Sequence, residues 1–228
     1  MSKVLVIIPA FNEEESILDV VGSLSSSDVA LDYVVINDAS TDNTEKILND
    51  NKINHISLPF NLGIGGAVQT GYVYAYENGY DIAIQMDGDG QHPATEISKL
   101  TEPILKGEAD MTVGSRFVLN DSFRSTQLRR TGIKLLSNLI YLKSKQRILD
   151  VTSGFRAVNK DVIALFSKEY AQDYPEPESL VIASKHKAKI KEVPVIMKER
   201  SGGVSSISPL KSIYYMIKVS LAILLGDN

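Results

Sequence analysis

Short, continuously apolar runs alternate with stretches of helical periodicity through the first half of the chain. Residues 4–8, 33–36, 54–58, 82–86 and 111–114 read as strands, and residues 14–24, 41–51, 67–76 and 95–105 between them read as helices. Strands this apolar lack the alternation of a half-solvated sheet, so the pattern predicts an α/β fold, a mostly parallel sheet with helices on both faces. Beyond residue 117 the pattern is less regular. Residues 129–143 read as an amphipathic helix, residues 189–196 as a further strand, and Ser201-Gly202-Gly203-Val204-Ser205-Ser206 as a flexible lead into a terminal helix. No internal repeat or low-complexity linker interrupts this order. The division that follows is one α/β domain over residues 1–200 and an appended flexible segment with an amphipathic or apolar helix over residues 201–228.

In sheets of this kind ligands sit beyond the carboxyl ends of the strands. The polar segments fall there. Pro9-Ala10-Phe11-Asn12-Glu13 follows the first strand, Asn37-Asp38-Ala39-Ser40-Thr41-Asp42 the second, and Asn61-Leu62-Gly63-Ile64-Gly65-Gly66 the third. Asp87-Gly88-Asp89-Gly90-Gln91-His92 follows the fourth and Gly114-Ser115-Arg116 the fifth. Turn chemistry alone accounts for one or two such segments; five on one edge point to a ligand-binding rim.

Asp87-Gly88-Asp89-Gly90-Gln91 is the sharpest chemical signal. Mg²⁺ or Mn²⁺ prefers oxygen ligands and keeps positions open for phosphate oxygens. Two carboxylates one residue apart at a strand end suit such an ion if the glycine turn brings them together; the competing reading is a solvated Asp-Gly turn. Asp38 is placed to accept from a ribose or a base, with Ser40 or Asp42 left to cap the next helix. Glu13 and Glu14 read either as first-turn helix charges or, for Glu13, as a nucleotide contact. The glycines at 63, 65 and 66 do not complete a G-x-G-x-x-G fingerprint, since Val68 holds its last position, and they read as a tight loop before a closely packed helix. Arg116, Arg129, Arg130, Arg156 and Arg200 all lie in the second half, where guanidinium groups can hold phosphate; Arg116 and one of Arg129/Arg130 are favoured. His55, His92 and His186 lack metal-ligand spacing and read as structural.

Composition narrows the classes. The 228 residues carry a net charge of −4, without the basic footprint of nucleic-acid binding, and no cysteine, which excludes disulfides and thiolate metal sites. That cysteine usage fits a reducing cytoplasm. Residues 207–225 are apolar-rich but interrupted by Lys211 and Lys218, short of the about 20 apolar residues that span a bilayer. An interfacial helix, or one packed on a partner, is the expectation there.

With these residues in hand the chain resembles glycosyltransferase family 2, in its dolichol-phosphate mannose synthase-like, polyprenyl-phosphate branch. The resemblance spans nearly the whole chain and rests on Ile8-Pro9-Ala10-Phe11-Asn12-Glu13-Glu14, Asn37 to Thr44, Asn61-Leu62-Gly63 and Gln85 to Pro93. Gly114-Ser115-Arg116-Phe117, Asp150-Val151-Thr152-Ser153-Gly154-Phe155-Arg156 and Tyr174-Pro175-Glu176-Pro177-Glu178 add to it. It implies an inverting, metal-dependent transferase on a Rossmann-like GT-A domain that moves a sugar from a nucleotide diphosphate-sugar to a polyprenyl phosphate or a glycan. It further implies that Pro9, Phe11, Glu13, Asp38 and Asp87 line the nucleoside pocket. Asp87, Asp89 and Gln91 would hold Mn²⁺ or Mg²⁺, and Arg116, Arg129, Arg130 and Arg200 would hold phosphate of acceptor or donor. Phe11 stands where a tyrosine is common. Asp89, Arg116, Arg130 and Asp150 are the expected catalytic set. A polyprenyl phosphate is already anionic and needs no base, whereas a sugar hydroxyl needs a carboxylate, for which Asp150 and Glu178 are the candidates.

Many relatives in that branch carry membrane-spanning helices after this domain. Here the expectation is peripheral contact with the cytoplasmic membrane face, or with a membrane partner, through 207–225. A sugar nucleotidyltransferase would carry a glycine-rich basic loop after the first strand, where this chain has Pro9 to Glu13. A polysaccharide-building enzyme and an inactive sugar-nucleotide-binding subunit are the remaining alternatives.

Overall fold

The computed structural model describes residues 2–118, 127–198, 218 and 220, with side chains of 127–131 excluded. Seven strands form one sheet: β1 (Val4–Ala10), β2 (Asp32–Asn37), β3 (His55–Ser57), β4 (Ile82–Gln85), β5 (Met111–Ser115), β6 (Arg156–Asn159) and β7 (Ile190–Pro194). Their order is β3-β2-β1-β4-β6-β5-β7. All pairings are parallel except those of β6, which runs antiparallel to β4 and β5. The helices are α1 (Ile17–Ser23), α2 (Thr44–Asp50), α3 (Gly63–Glu77), α4 (Ile97–Leu105), α5 (Gln127–Ser144), α6 (Lys160–Phe166) and α7 (Pro175–Lys185). The mostly parallel sheet and the helix expected over 129–143 are thus present.

β1 is buried at all seven positions, which explains its unbroken apolar run. Val4, Val6 and Ile8 pack with Val20, Leu48, Ile97 and Leu100 of α1, α2 and α4. Leu5 and Ile7 pack on the other side with Val68 and Tyr72 of α3, in a cluster that also holds Leu136 of α5, Phe166 of α6 and Leu180 of α7. Each fully buried aliphatic side chain stabilises the fold by about 1.5–3 kcal/mol.

Two features depart from the sequence pattern. β6 has four residues, three of them buried, so it shows no periodicity, and it inserts between β4 and β5. The glycines at 63, 65 and 66 form the first turn of α3 and not a loop before it. Close approach explains Gly65: a Cβ there would lie 2.4 Å from the carbonyl oxygens of Ala171 and Gln172, so the 170–172 segment can cross over the helix only at glycine. Among the described residues no helix is long and apolar enough to cross a membrane. Arg200 and most of 201–228 lie outside the described residues; Lys218 is helical, its ammonium 3.4 Å from the Asp173 carboxylate.

Candidate active site

The chain runs from β1 to β2 and β3 on one side and returns to β4 on the other, so a crevice opens at the carboxyl ends of β1, β2 and β4. There the structure has a cleft of about 600 Å³. Pro9, Phe11, Glu13, Asp38, Asp87 and Asp89 all line it, with Asn61 before α3 and Gly63 and Ile64 at its start. Six residues selected from three separate segments of the sequence are thereby brought to one cavity.

The loops after β1 and β2 are knitted together. Asn12 N–H donates to Ser40 Oγ at 3.0 Å, Thr41 N–H to Asn12 Oδ1 at 2.8 Å, and Glu13 N–H to Thr44 Oγ1 at 2.9 Å. Glu14 Oε2 accepts from Asn43 N–H and Nδ2, while Asp42 accepts from Glu14 N–H and Thr44 N–H. Asp42 thus takes the capping role at α2, and these bonds hold its carboxyl below the ordinary range against the opposing effect of burial. Glu13 and Glu14 precede α1, so neither is a first-turn charge. Ser16 Oγ lies 2.7 Å from Gly88 O and 2.9 Å from Glu13 Oε2, joining this clasp to the loop after β4.

Asn12 and Ala39 both have positive φ, 57° and 55°. For alanine the left-handed region costs about 1–2 kcal/mol, and this strain sits beside Asp38. Ala39→Gly is expected to raise stability by about 1 kcal/mol, read as an increased urea midpoint at unchanged m-value. A lowered midpoint would show that the alanine methyl contributes more than the strain removes.

Asp38 is 3% exposed and its Oδ1 accepts the Leu62 N–H at 2.7 Å, at the positive end of α3. Asp89 Oδ1 accepts the Gln91 N–H at 3.0 Å, and Gln91 O accepts from Lys198 N–H at 2.9 Å, which ties the segment after β7 to this loop. Asp87 is one-third exposed toward the cleft and is enclosed behind. A Cβ on Gly154 would lie 2.9 Å from both Asp87 carboxylate oxygens, so a side chain there would push the carboxylate aside. Gly154→Ala is expected to displace Asp87 and lower transfer by about tenfold or more with little change in Tm. Unchanged turnover would show that Asp87 tolerates the displacement.

Arg116 and Asp150 stand in a different arrangement from the cleft residues. Arg116 Nε and Nη2 donate to Asp150 Oδ2 and Oδ1 at 2.8 and 2.7 Å, and Arg116 N–H adds a third bond at 3.1 Å. Asp150 has no exposed surface. Both oxygens of this enclosed carboxylate are thus engaged by Arg116. Asp150 N–H in turn donates to Glu192 Oε1 at 2.7 Å, and burial raises the Glu192 carboxyl. Burial also raises that of Glu178, at the start of α7.

Arg156 is no phosphate ligand. It is 1% exposed and donates to the carbonyls of Ser153, Val151 and Glu176 and to Ser179 Oγ. Arg129 and Arg130 lie in the first turn of α5, with their side chains outside the described residues. Of the cleft's supporting residues, Gln85, His92 and Gly154 fall within the motif segments but carried no signal of a separate role, and Ser16 lies outside those segments.

A mostly parallel sheet with an acidic cleft at its switch point has that cleft where α/β proteins of this kind bind their ligands. Residues 5–166 match glycosyl transferase family 2, and the chain belongs to that family; it is a glycosyltransferase. It is 34% identical over 212 residues, 84% of each chain, to a UDP-N-acetylglucosamine–dolichyl-phosphate N-acetylglucosaminyltransferase of Methanococcus voltae. It is 28% identical over 236 residues, 96% of this chain and 86% of the other, to a polyprenol monophosphomannose synthase of Mycolicibacterium smegmatis. Its fold is similar to that of glucosyl-3-phosphoglycerate synthase from Mycobacterium tuberculosis, solved with Mn²⁺, UDP and glucosyl-3-phosphoglycerate. That likeness has a TM-score of 0.73 at 24% identity and covers 99% of this chain and 79% of that one.

Proposed function

We propose that this enzyme moves a sugar from a nucleotide diphosphate-sugar to a polyprenyl phosphate, with inversion at the anomeric carbon. The observation that carries the reading is the cleft that joins Phe11 and Asp38 to Asp87 and Asp89. Relatives that transfer to dolichyl or polyprenyl phosphate support the acceptor.

The donor set fits a hard divalent cation. Among the described residues no three His or acidic side chains group as a metal site, so Asp87, Asp89 and Gln91 would supply part of the oxygen shell and the donor's phosphates the rest. Mn²⁺ or Mg²⁺ there would neutralise charge growing on the departing diphosphate. Pro9, Phe11 and Asp38 would seat the nucleoside, with Phe11 offering a ring face and Asp38 a buried acceptor at the end of α3. Asp150 positions Arg116, and Arg116, Arg129, Arg130 and Arg200 hold phosphate. The anionic acceptor attacks without a general base. Contact with the membrane surface through 207–225 would bring the lipid to the cleft.

The test is transfer from a panel of UDP- and GDP-sugars to a short-chain polyprenyl phosphate, with and without Mn²⁺. Lipid-linked sugar formed only with metal is the expected result and names the donor. Donor binding without lipid product would move the acceptor to a sugar hydroxyl, or make the chain a binding subunit.

A further inference from the structure

Asp87 has more structure behind it than the cleft requires for a simple acidic turn. His92, five residues on, is 4% exposed and stacks on the Phe155 ring, with centroids 4.7 Å apart and planes within 8°. Its Nδ1 accepts the Asp87 N–H at 3.1 Å. A ring nitrogen that accepts carries no proton, so in the neutral imidazole the proton sits on Nε2, and Nε2 faces Asp87 Oδ2 at 3.8 Å. Gln85 Nε2 reaches Asp87 Oδ1 at 3.5 Å, and Tyr170 OH donates to Gln85 Oε1 at 3.4 Å. One imidazole therefore addresses both the backbone and the carboxylate of Asp87, while Phe155 holds its plane and Gly154, the preceding residue, backs the carboxylate.

We propose that His92 is a positioning residue for Asp87: it holds the residue's backbone by a hydrogen bond with its ring edge turned to the carboxylate, and through that placement sets the affinity of the cleft for a divalent cation. The proposal rests on the assignment of Asp87 to the cation. Outer partners that orient a ligating group typically change metal affinity by about 10- to 100-fold when removed. The competing account is that His92 only fills space against Phe155. Leucine and asparagine have nearly the same shape, but only asparagine can accept the Asp87 N–H; phenylalanine keeps a stacking ring and accepts nothing.

Mn²⁺ binding is read by the electron paramagnetic resonance signal of the free ion, with UDP and with GDP, in wild type, His92→Asn, His92→Leu and His92→Phe, each with its Tm. Expected is a loss of affinity of about 10- to 100-fold in the Leu and Phe variants, recovered in large part by Asn. Equal Mn²⁺ affinity in all four proteins overturns the proposal. So does a pattern in which Phe matches wild type while Asn and Leu fall together, or failure of all three variants to fold, since each assigns the imidazole to packing. No Mn²⁺ binding by wild type with either nucleotide defeats the cation assignment itself, a result separate from any difference among the variants.

Discussion

Asp89→Ala is expected to reduce sugar transfer about a thousandfold, to abolish its dependence on Mn²⁺, and to leave the fold in place. Asp89 is in the loop directly after β4, where its carboxylate borders the cleft and accepts the Gln91 N–H two residues on. A cation that neutralises the departing diphosphate supplies several kcal/mol to the transition state, and each 1.36 kcal/mol is tenfold in rate. Loss of the local turn bond costs about 1 kcal/mol, a Tm change of about 2–4 °C for a chain of this size. Steady-state transfer with Mn²⁺ titration and thermal unfolding on the same samples separate the two effects. Turnover within tenfold of wild type at saturating Mn²⁺ would remove Asp89 from the metal site.

Arg116→Ala is expected to be costly in two ways at once. Asp150 is fully buried, and Arg116 is its bidentate partner. Removing the guanidinium leaves an uncompensated buried carboxylate, a destabilisation of about 3–5 kcal/mol. Transfer should fall about 100- to 1000-fold if the same guanidinium holds phosphate. Arg116→Met combined with Asp150→Leu separates these contributions. A pair of apolar residues of similar volume should recover most of the stability, as replacement of buried ion pairs generally does, while transfer stays lost. Urea unfolding gives the first quantity and steady-state kinetics the second. A double variant that regains activity with stability would mean that the pair only braces the strand end of β5.

The sheet and its rim were legible because their signals are local. Five apolar runs with helical stretches between them predict a mostly parallel sheet, and the rule placing ligands at its carboxyl edge then selects the segments that hold Asp38, Asp87 and Asp89, to which the family resemblance adds Pro9 and Phe11. β6 was not legible: four residues buried between two neighbours carry no alternation, and antiparallel insertion is a choice made by packing. The glycines at 65 and 154 are written plainly in the chain, yet what crowds a side chain at each, the 171–172 backbone and the Asp87 carboxylate, begins 106 and 67 residues away.

Residue type and spacing alone therefore determined the alternation of strands and helices and the acidic strand end, since these depend on periodicity and on neighbours within a few positions, while the family came from the resemblance of motifs spread along the chain. The tertiary structure decided what each charged side chain does. Arg116 and Arg156 are equally polar in sequence, but one pairs with Asp150 at the end of β5 and the other is sealed among backbone carbonyls. Asp150, a candidate base in sequence, is the buried partner of Arg116, and His92, read as structural, accepts the Asp87 N–H. The physical reason is the same in each case. The role of an ionisable group is set by its desolvation and by the partners within hydrogen-bond reach, and for Arg116 and Arg156 those partners include residues 20 or more positions away in the sequence.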